Sequence, residues 1–395
     1  MNNHHAAEQM IGYLYQARYA LYLLLSSDDE QSEISIEKFD DVSFGTGDTP
    51  EIMIQLKHHV KEYGDLNNAS TDIWRTLKVW IDAVKENKNL ISKTKFIIMT
   101  TASAPVGTAA YHLKIDADKR NSQRAYDILK KVTVESTNKS HESYYSAFIS
   151  MPETIMRKLL EDAFVVDKSS NIMDVEFDIK KAIRYSSLPQ HIDKICERLE
   201  GWWYKKAIEA LCSEMPIFIS QRQVHSHIVS VGLEYASDNL PIDINEFEDL
   251  EIDSLPSNDQ KFYKQLKLIC IGSNSLRMAI RDYYRAFQQR ANWVREELLF
   301  TNELDKYEKR LIDEWEHSFY AMQDDLSDYG DQITEDIKVT RGKKLYREIE
   351  EKDLRIRDRC SDAFVMRGSY HILANQSKVG WHLDFYERLK NLLKD

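Results

Sequence analysis

Cysteine, proline and glycine are all scarce, at 4, 7 and 12 in 395 residues. Cys196, Cys212, Cys270 and Cys360 stand far apart with no Cys-x-x-Cys pair, which excludes a disulfide framework and a zinc finger and points to a reducing, cytoplasmic setting. So little Gly and Pro, with 43% hydrophobic and 30% charged residues, excludes disorder as the main state and favours helix. No run of 18 or more apolar residues occurs; the longest early patch, 20–25, is flanked by Arg18 and Asp28, so neither a membrane span nor a secretory signal is expected. A Gly-x-x-x-x-Gly-Lys-Ser/Thr loop is missing too, so no ATP is expected on a P-loop and any ATPase has to be a partner. Basic excess is also absent. Lys and Arg number 53 against 65 Asp and Glu, a net charge of −12 spread evenly along the chain. No global field draws such a molecule to DNA, and nucleic-acid contact has to come from a local patch, a metal, an oligomer or a partner.

The length suggests two or three domains of about 150 residues each. Met10, Leu14, Ala17, Leu21 and Leu25 recur at helical spacing and predict a helix over 6–26. Ile34 and Ile36 alternate with polar residues and predict a strand through Glu37. The cluster Gly45, Thr46, Gly47, Asp48, Thr49 and Pro50 predicts a turn, and Ile52, Ile54 and Leu56 alternate with Met53, Gln55 and Lys57 as a second strand. A helix capped by Ser70 or Thr71, with Ile73, Leu77, Trp80, Ile81 and Val84 on one face, and a buried strand over 95–99 complete an α-β-β-α-β core. Helices are then expected over 126–134 and 155–164, a strand over 173–177 and a helical stretch from Pro189. Beyond Pro216 the pattern is helical, with turns at 238–241 and 253–258. The strongest period steps through Ile280, Tyr284, Phe287, Ala291, Val294 and Leu298 and resumes at Leu304, Tyr307, Leu311, Trp315 and Phe319. It predicts one long helix or two nearly continuous ones. The charged side, with Arg281, Arg285, Arg290, Arg295, Glu296, Lys309 and Arg310, is expected to face solvent or a partner.

The chemistry concentrates early. Asp41 closes the first predicted strand, and fourteen residues later the second carries Gln55-Leu56-Lys57, whose period-two pleat puts Gln55 and Lys57 on one face. Phosphodiester hydrolysis needs a hard cation held by oxygen ligands and a nearby ammonium to orient or deprotonate water. A carboxylate, an amide oxygen and a lysine at this spacing meet that need. Neutral Gln55 holds a cation more weakly than a carboxylate would, so Glu37 and Asp40 are candidates for an added ligand or an outer contact.

Asp41-x13-Gln55-x-Lys57 resembles the PD-(D/E)xK nuclease motif, in which Gln is a known variant of the middle position. With Asp40-Asp41-Val42 and an upstream helix bearing Gly12-Tyr13-Leu14-Tyr15-Gln16, it is similar to restriction-endonuclease-like proteins whose first helix carries Gly-x-x-Tyr-Gln. That resemblance implies that Gln16 points into the active site. Leu66, Asp72, Ile73, Trp74, Leu77, Trp80 and the strand end Thr100-Thr101 look like the same subfamily. Further on, Asp282-Tyr283-Tyr284-Arg285-Ala286-Phe287, Arg295 to Leu299, Asp313 to Glu316 and Arg367 to Leu373 look like the C-terminal module of the same proteins. The whole resembles the nuclease effector subunits of Lamassu-type bacterial defence systems, a class of ABC three-component systems. The resemblance implies a restriction-endonuclease-like α/β domain over 1–210 (core 1–105, extension 106–210) and a helical domain over 211–395 for partner binding or self-association. It also implies a Mg²⁺-dependent (or Mn²⁺-dependent) endonuclease on double-stranded DNA of phage or plasmid, held by an SMC-like ATPase and a third small subunit, and active as a homo-oligomer. Asp41, Gln55, Lys57, Glu37 and Gln16 would be its catalytic residues, with Asp41, Gln55 and Asp40 at the metal.

Plainer roles weigh against the remaining motifs. His58 and His59 are neighbours on a strand and face opposite ways, so at most one reaches a common ion. His225 and His227 have no third ligand in view, and His4 and His5 sit at the N-terminus. Trp202-Trp203-Tyr204 can stack bases, but packing is the better expectation, and Arg367-Gly368-Ser369 is only a faint phosphate loop. Lys114, Lys119, Arg120, Arg124, Lys130 and Lys131 form the best local basic stretch for backbone contact. Two rival functions stand beside the DNA nuclease: an inactivated nuclease fold that serves as an adaptor for the ATPase, favoured by Gln55 in place of a carboxylate, and a nuclease acting on RNA.

Overall fold

A computed structural model describes residues 3–45, 49–58, 64–116, 118, 120–215, 217–244 and 260–392, with side chains described outside 3–9, 331 and 391–392. His59, Lys119, Pro216, half of the turn predicted at Gly45–Pro50 and the turn predicted at 253–258 lie outside these residues, as do the side chains of His4 and His5. The chain forms two compact units, Met1–Gly232 and Leu233–Asp395.

The first unit opens with helix α1 (Asn3–Leu25), then strands β1 (Glu33–Ile36), β2 (Val42–Phe44) and β3 (Ile52–Lys57), helix α2 (Thr71–Glu86) and strand β4 (Lys95–Thr100). The sequence predicted one strand fewer. Val42–Phe44 is only three residues long and reads as the tail of β1, but the chain reverses at 37–41: Glu37 takes a left-handed φ of +56° and its N–H donates to the Asp41 carbonyl at 3.1 Å. Asp41 therefore does not close a strand; it ends the reversal and sits immediately before β2. Helices α3 (Ala109–His112), α4 (Ser122–Glu135), α5 (Glu142–Ser150) and α6 (Glu153–Glu161) follow, then strand β5 (Ala163–Val166), α7 (Ile172–Ala182), α8 (Ile192–Cys212), strand β6 (Ile219–Ser220) and α9 (Gln221–Glu234).

The six strands pair in the order β5-β4-β3-β2-β1-β6, antiparallel from β3 through β6 and parallel across β3, β4 and β5. Met53, Phe96, Ile98 and Val165 on one face pack beneath Ile73, Trp74, Leu77, Trp80, Ile81 and Val84 of α2 and Tyr126 and Leu129 of α4. Period-two geometry puts Gln55 and Lys57 on that same α2-covered face as Met53.

Three further sequence expectations are corrected in this unit. The predicted helix over 155–164 ends at Glu161 and gives way to β5. The strand expected over 173–177 is helical: Asn171 caps α7 by accepting from the N–H groups of Met173 and Asp174, and Val175 and Ile179, four apart, are the buried pair while Met173 and Phe177 face solvent. The boundary at 210/211 moves to 232/233, because β6 pairs with β1 (Ile34 opposite Ile219) and the Gln221 N–H donates to the Ser32 carbonyl at 2.9 Å.

The second unit is helical: α10 (Lys261–Leu268), α11 (Ser273–Arg295), α12 (Glu303–Ser327), α13 (Glu335–Glu350), α14 (Ala363–Asn375) and α15 (Phe385–Leu392). The long period is thus two helices, parted at 296–302 where Glu297 and Asn302 take positive φ. On α12 the predicted stripe of Tyr307, Leu311, Trp315 and Phe319 is buried. On α11 the phase is displaced. Tyr283, Ala286, Gln289 and Trp293 are buried, whereas Phe287 and Val294 are more than half exposed. The reason is α14: a Cβ on Gly368 would collide with the Asp282 carbonyl oxygen and the Ala286 Cβ, so the helices cross with Gly368 against the Asp282–Ala286 side. Arg367-Gly368-Ser369 is a helix interior, not a phosphate loop.

Candidate functional site

The reversal at 37–41 and the end of β3 bring four of the predicted residues together. The side-chain NH₂ of Gln55 donates to Asp40 Oδ1 and, at 3.0 Å, to Asp41 Oδ1. Asp41 Oδ2 accepts from the Leu56 N–H at 2.7 Å, and the Lys57 ammonium lies 3.9 Å from it. The same ammonium donates to Gln55 Oε1 at 2.6 Å. Asp40 and Asp41 are about as buried as each other, at 6% and 8% exposure, and Gln55 is 5% exposed, so nearly all the polarity of the cluster is satisfied internally. The cluster sits where β3 ends beside its parallel neighbour β4, with Gln55 opposite Ile98 and Lys57 opposite Thr100. The carboxyl ends of parallel strands are a recurrent location for ligand crevices.

Asp40 has a partner that the sequence did not announce. The indole N–H of Trp80, on α2, donates to its second oxygen at 2.8 Å. The apolar periodicity placed Trp80 in the core, where it is indeed buried; the available signal was chemical, since a buried indole N–H has to find an acceptor. Burial, and next the charge of Asp41, push the Asp40 carboxyl up to about 7, against the lowering effect of its bonds to Trp80 and Gln55. Glu37 stands at the rim. Desolvation and then Asp41 raise its carboxyl, while Lys57 and Arg75 pull it back, so Arg75 on α2 belongs to the local electrostatics as well.

Gln16 does not join. It is half-buried on α1 and makes no hydrogen bond among the described residues. Its neighbour Tyr15 instead stacks on His58 at 4.4 Å and donates to the Ser170 carbonyl at 3.0 Å. His58 Nε2 accepts from the Ile172 N–H at 3.4 Å, which is a packing role. Among the described residues no three His, Cys, Asp or Glu side chains gather in metal-binding geometry. The Trp202-Trp203-Tyr204 run packs: Trp203 is buried and donates to the Ala17 carbonyl at 2.6 Å, and Trp202 stacks on His227. The basic stretch is largely committed internally. Lys114 pairs with Asp167, Lys130 with Glu153 and Lys131 with Glu135, while Arg120 lies over Phe164 and donates to the carbonyls of Leu113, Ala163, Leu160 and Glu161.

In the second unit the polar side chains of the interior mostly grip backbone. Gln265 donates to the Ala374 and Val379 carbonyls, Gln289 and Trp293 to Pro241, Trp315 to Gly380 and Tyr370 to Leu311. Of the face expected to be solvated, Arg290 is half-buried in an ion pair with Glu308, and Arg285 lies over Phe364 and donates to the Ile244 carbonyl at 3.2 Å. Arg295 is exposed as expected. Residues 262–389, from α10 into α15, match the family model of C-terminal domain 7 of the ABC-three component (ABC-3C) systems. The chain is a component of an ABC-3C system. ABC-3C systems are multi-component, which accords with the expectation of partner subunits. The match covers the C-terminal unit and does not reach the Asp40–Lys57 cluster. No curated protein gave a significant match. No helix among the described residues is long and apolar enough to cross a membrane.

Proposed function

We propose that this ABC-3C component is a Mg²⁺-dependent (or Mn²⁺-dependent) DNA endonuclease with a restriction-endonuclease-like core, acting as the effector of a Lamassu-type defence complex against phage or plasmid DNA. The observation that carries the reading is the convergence of Asp41 Oδ2 and Gln55 Oε1 on one ammonium, that of Lys57. Two oxygens that accept one cation from the same side are a donor set for another. Asp41 and Gln55, with water filling the remaining positions, would hold the metal, which when bound supplies charge neutralisation at the phosphate and an acidified water. Lys57 is then released to orient the attacking water or take its proton. Glu37 and Arg75 at the rim set the field around that lysine. The neutral amide makes this a weak metal site, which suits an effector whose net charge of −12 keeps a lone molecule off DNA until partners or oligomerisation bring it there. The partners in this reading are an SMC-like ATPase and a third small subunit in the cytoplasm.

A second reading, the inactive adaptor, is favoured by the absence of a third anionic donor among the described residues. Plasmid DNA incubated with the purified chain, alone and with its partner subunits, in Mg²⁺ or Mn²⁺ separates the two. Metal-dependent cutting that Lys57→Ala removes from a folded protein is expected. Absence of cutting in every combination would transfer the function to the adaptor, and cutting of RNA in preference to DNA would change the substrate.

A further inference from the structure

A buried polar chain runs from helix α2 to the end of β3. The Trp80 indole N–H donates to Asp40 Oδ2, Asp40 Oδ1 accepts from the Gln55 NH₂, and Gln55 Oε1 accepts from Lys57. Both Asp40 oxygens are thus engaged by N–H donors, and Oδ1 takes a further bond from the Asp41 N–H at 3.1 Å. A glutamine amide has two faces, and which way round it sits is decided by its neighbours. In its ionised form Asp40 only accepts, and with Trp80 and the Asp41 N–H already donating to it one choice is left: NH₂ inward, carbonyl outward. We propose that Asp40, anchored by Trp80, is a positioning residue that fixes the Gln55 amide with its NH₂ turned to the two aspartates and its carbonyl oxygen turned towards Lys57, and that neither Asp40 nor Trp80 holds the metal. The catalytic consequence rests on the nuclease reading; the positioning itself does not. The device explains how a neutral residue serves in a place usually given to a carboxylate, which needs no orientation because its two oxygens are alike.

The test exchanges donor and acceptor. In Asp40→Asn the new amide satisfies Trp80 or Gln55, but not both in their present geometry. In the double variant, Asp40→Asn with Gln55→Glu, the 40–55 contact returns with its polarity reversed and the introduced asparagine carbonyl still accepts from Trp80, while the bonds from Gln55 to Asp41 and from the Asp41 N–H to Asp40 are lost. The expected result is that Asp40→Asn and Trp80→Phe each lower cleavage about tenfold or more at saturating metal. Asp40→Asn should leave Mn²⁺ affinity within about threefold of the parent, whereas Asp41→Asn abolishes binding, and the double variant should recover part of the lost cleavage. Loss of Mn²⁺ binding in Asp40→Asn equal to that in Asp41→Asn would make Asp40 a ligand and overturn the proposal. So would a double variant no better than the worse single one. If the parent protein neither binds Mn²⁺ nor cuts, the nuclease reading fails by itself and two other readouts decide the positioning. One is the side-chain NH₂ signal of Gln55 by ¹H–¹⁵N NMR, expected to be slow-exchanging in the parent and averaged in Trp80→Phe. The other is the thermal midpoint, expected to fall in each of Asp40→Asn and Gln55→Glu and to lie in the pair above the lower of the two single variants. An unaltered Gln55 signal, or a pair no more stable than the lower single variant, would overturn it.

Discussion

The polar cluster at the end of β3 and the buried polar side chains in the helical unit's interior are satisfied in different ways. Around β3, acids, an amide and an ammonium bond mainly to one another: Asp40, Asp41, Gln55 and Lys57 are each other's partners. In the helical unit Gln265, Gln289, Trp293, Trp315 and Tyr370 each reach a backbone carbonyl instead. A side chain that satisfies a carbonyl at a helix end or loop closes an account the backbone opened, and its work is done at folding. A cluster of ionisable groups that bonds chiefly within itself, and takes only two backbone N–H groups, gives the backbone little, so its persistence asks for a chemical use. The contrast separates site from scaffold without appeal to any relative.

Four changes test that contrast, in falling order of effect. Lys57→Ala should cut metal-dependent cleavage by roughly a thousandfold while lowering the thermal midpoint only modestly, because the ammonium bonds Gln55 and Asp41 and Asp41 keeps its bonds to Gln55 and the Leu56 N–H. A large loss of midpoint would mean that the first unit uses its ions as the second uses its amides. Gly368→Ala should do the reverse. The added methyl collides with the Asp282 carbonyl, so α11 and α14 must part, at a cost of about 3 kcal/mol. Denaturant unfolding should show that loss with the Asp41–Lys57 chemistry intact.

His371 gives a third, smaller test. It is buried against Phe262 and Tyr346, both ring nitrogens lack a partner among the described residues, and burial pushes its titration down to about 3. The unfolded chain takes up its proton near the usual pH of about 6.5 while the folded form does not, so between those values the unfolded state binds more protons. Stability from this residue is complete above about 6.5 and is lost as pH falls towards 3. Thermal midpoints measured from pH 7.5 down to 5 should drop in the parent and drop less in His371→Phe; identical slopes would remove the argument. The smallest effect belongs to Glu37→Gly. The left-handed φ of +56° suits glycine, so calorimetry should show a gain of roughly 1 kcal/mol. Reduced cleavage in the same variant would show that the strain is kept for the carboxylate.

Much of this arrangement was legible in the residues. Gln55 and Lys57 on one face of a strand followed from alternation alone, and Asp41 from its distance and its Asp-Asp context. The reversal at 37–41 was not, because a three-residue strand carries too little pattern to be told from the end of its neighbour. Trp80 satisfies helical periodicity, a pattern that carries no sign of its N–H bond to Asp40. On α11 two apolar stripes compete, one through Tyr284, Phe287, Ala291 and Val294 and one through Tyr283, Ala286 and Trp293. Periodicity weighs them equally; the choice is made by Gly368, a residue about eighty positions away whose missing side chain no local window registers. Gln16 entered through a motif, and only its neighbour Tyr15 turned out to have a structural partner near β3.

Strand β6 is two residues long and pairs with β1 across most of the first unit's sequence. Its consequence concerns synthesis. Until residue 220 has left the ribosome, β1 is an open edge with unpaired backbone groups, and open edges recruit other strands. Contacts so distant in sequence form late and slowly. The nascent sheet therefore spends the time of well over a hundred further residues as a potential template for aggregation, and a fragment ending near 210 would remain in that condition permanently. A two-residue strand contributes little energy, yet it covers Glu33 and Ile34 on an edge that no earlier strand pairs.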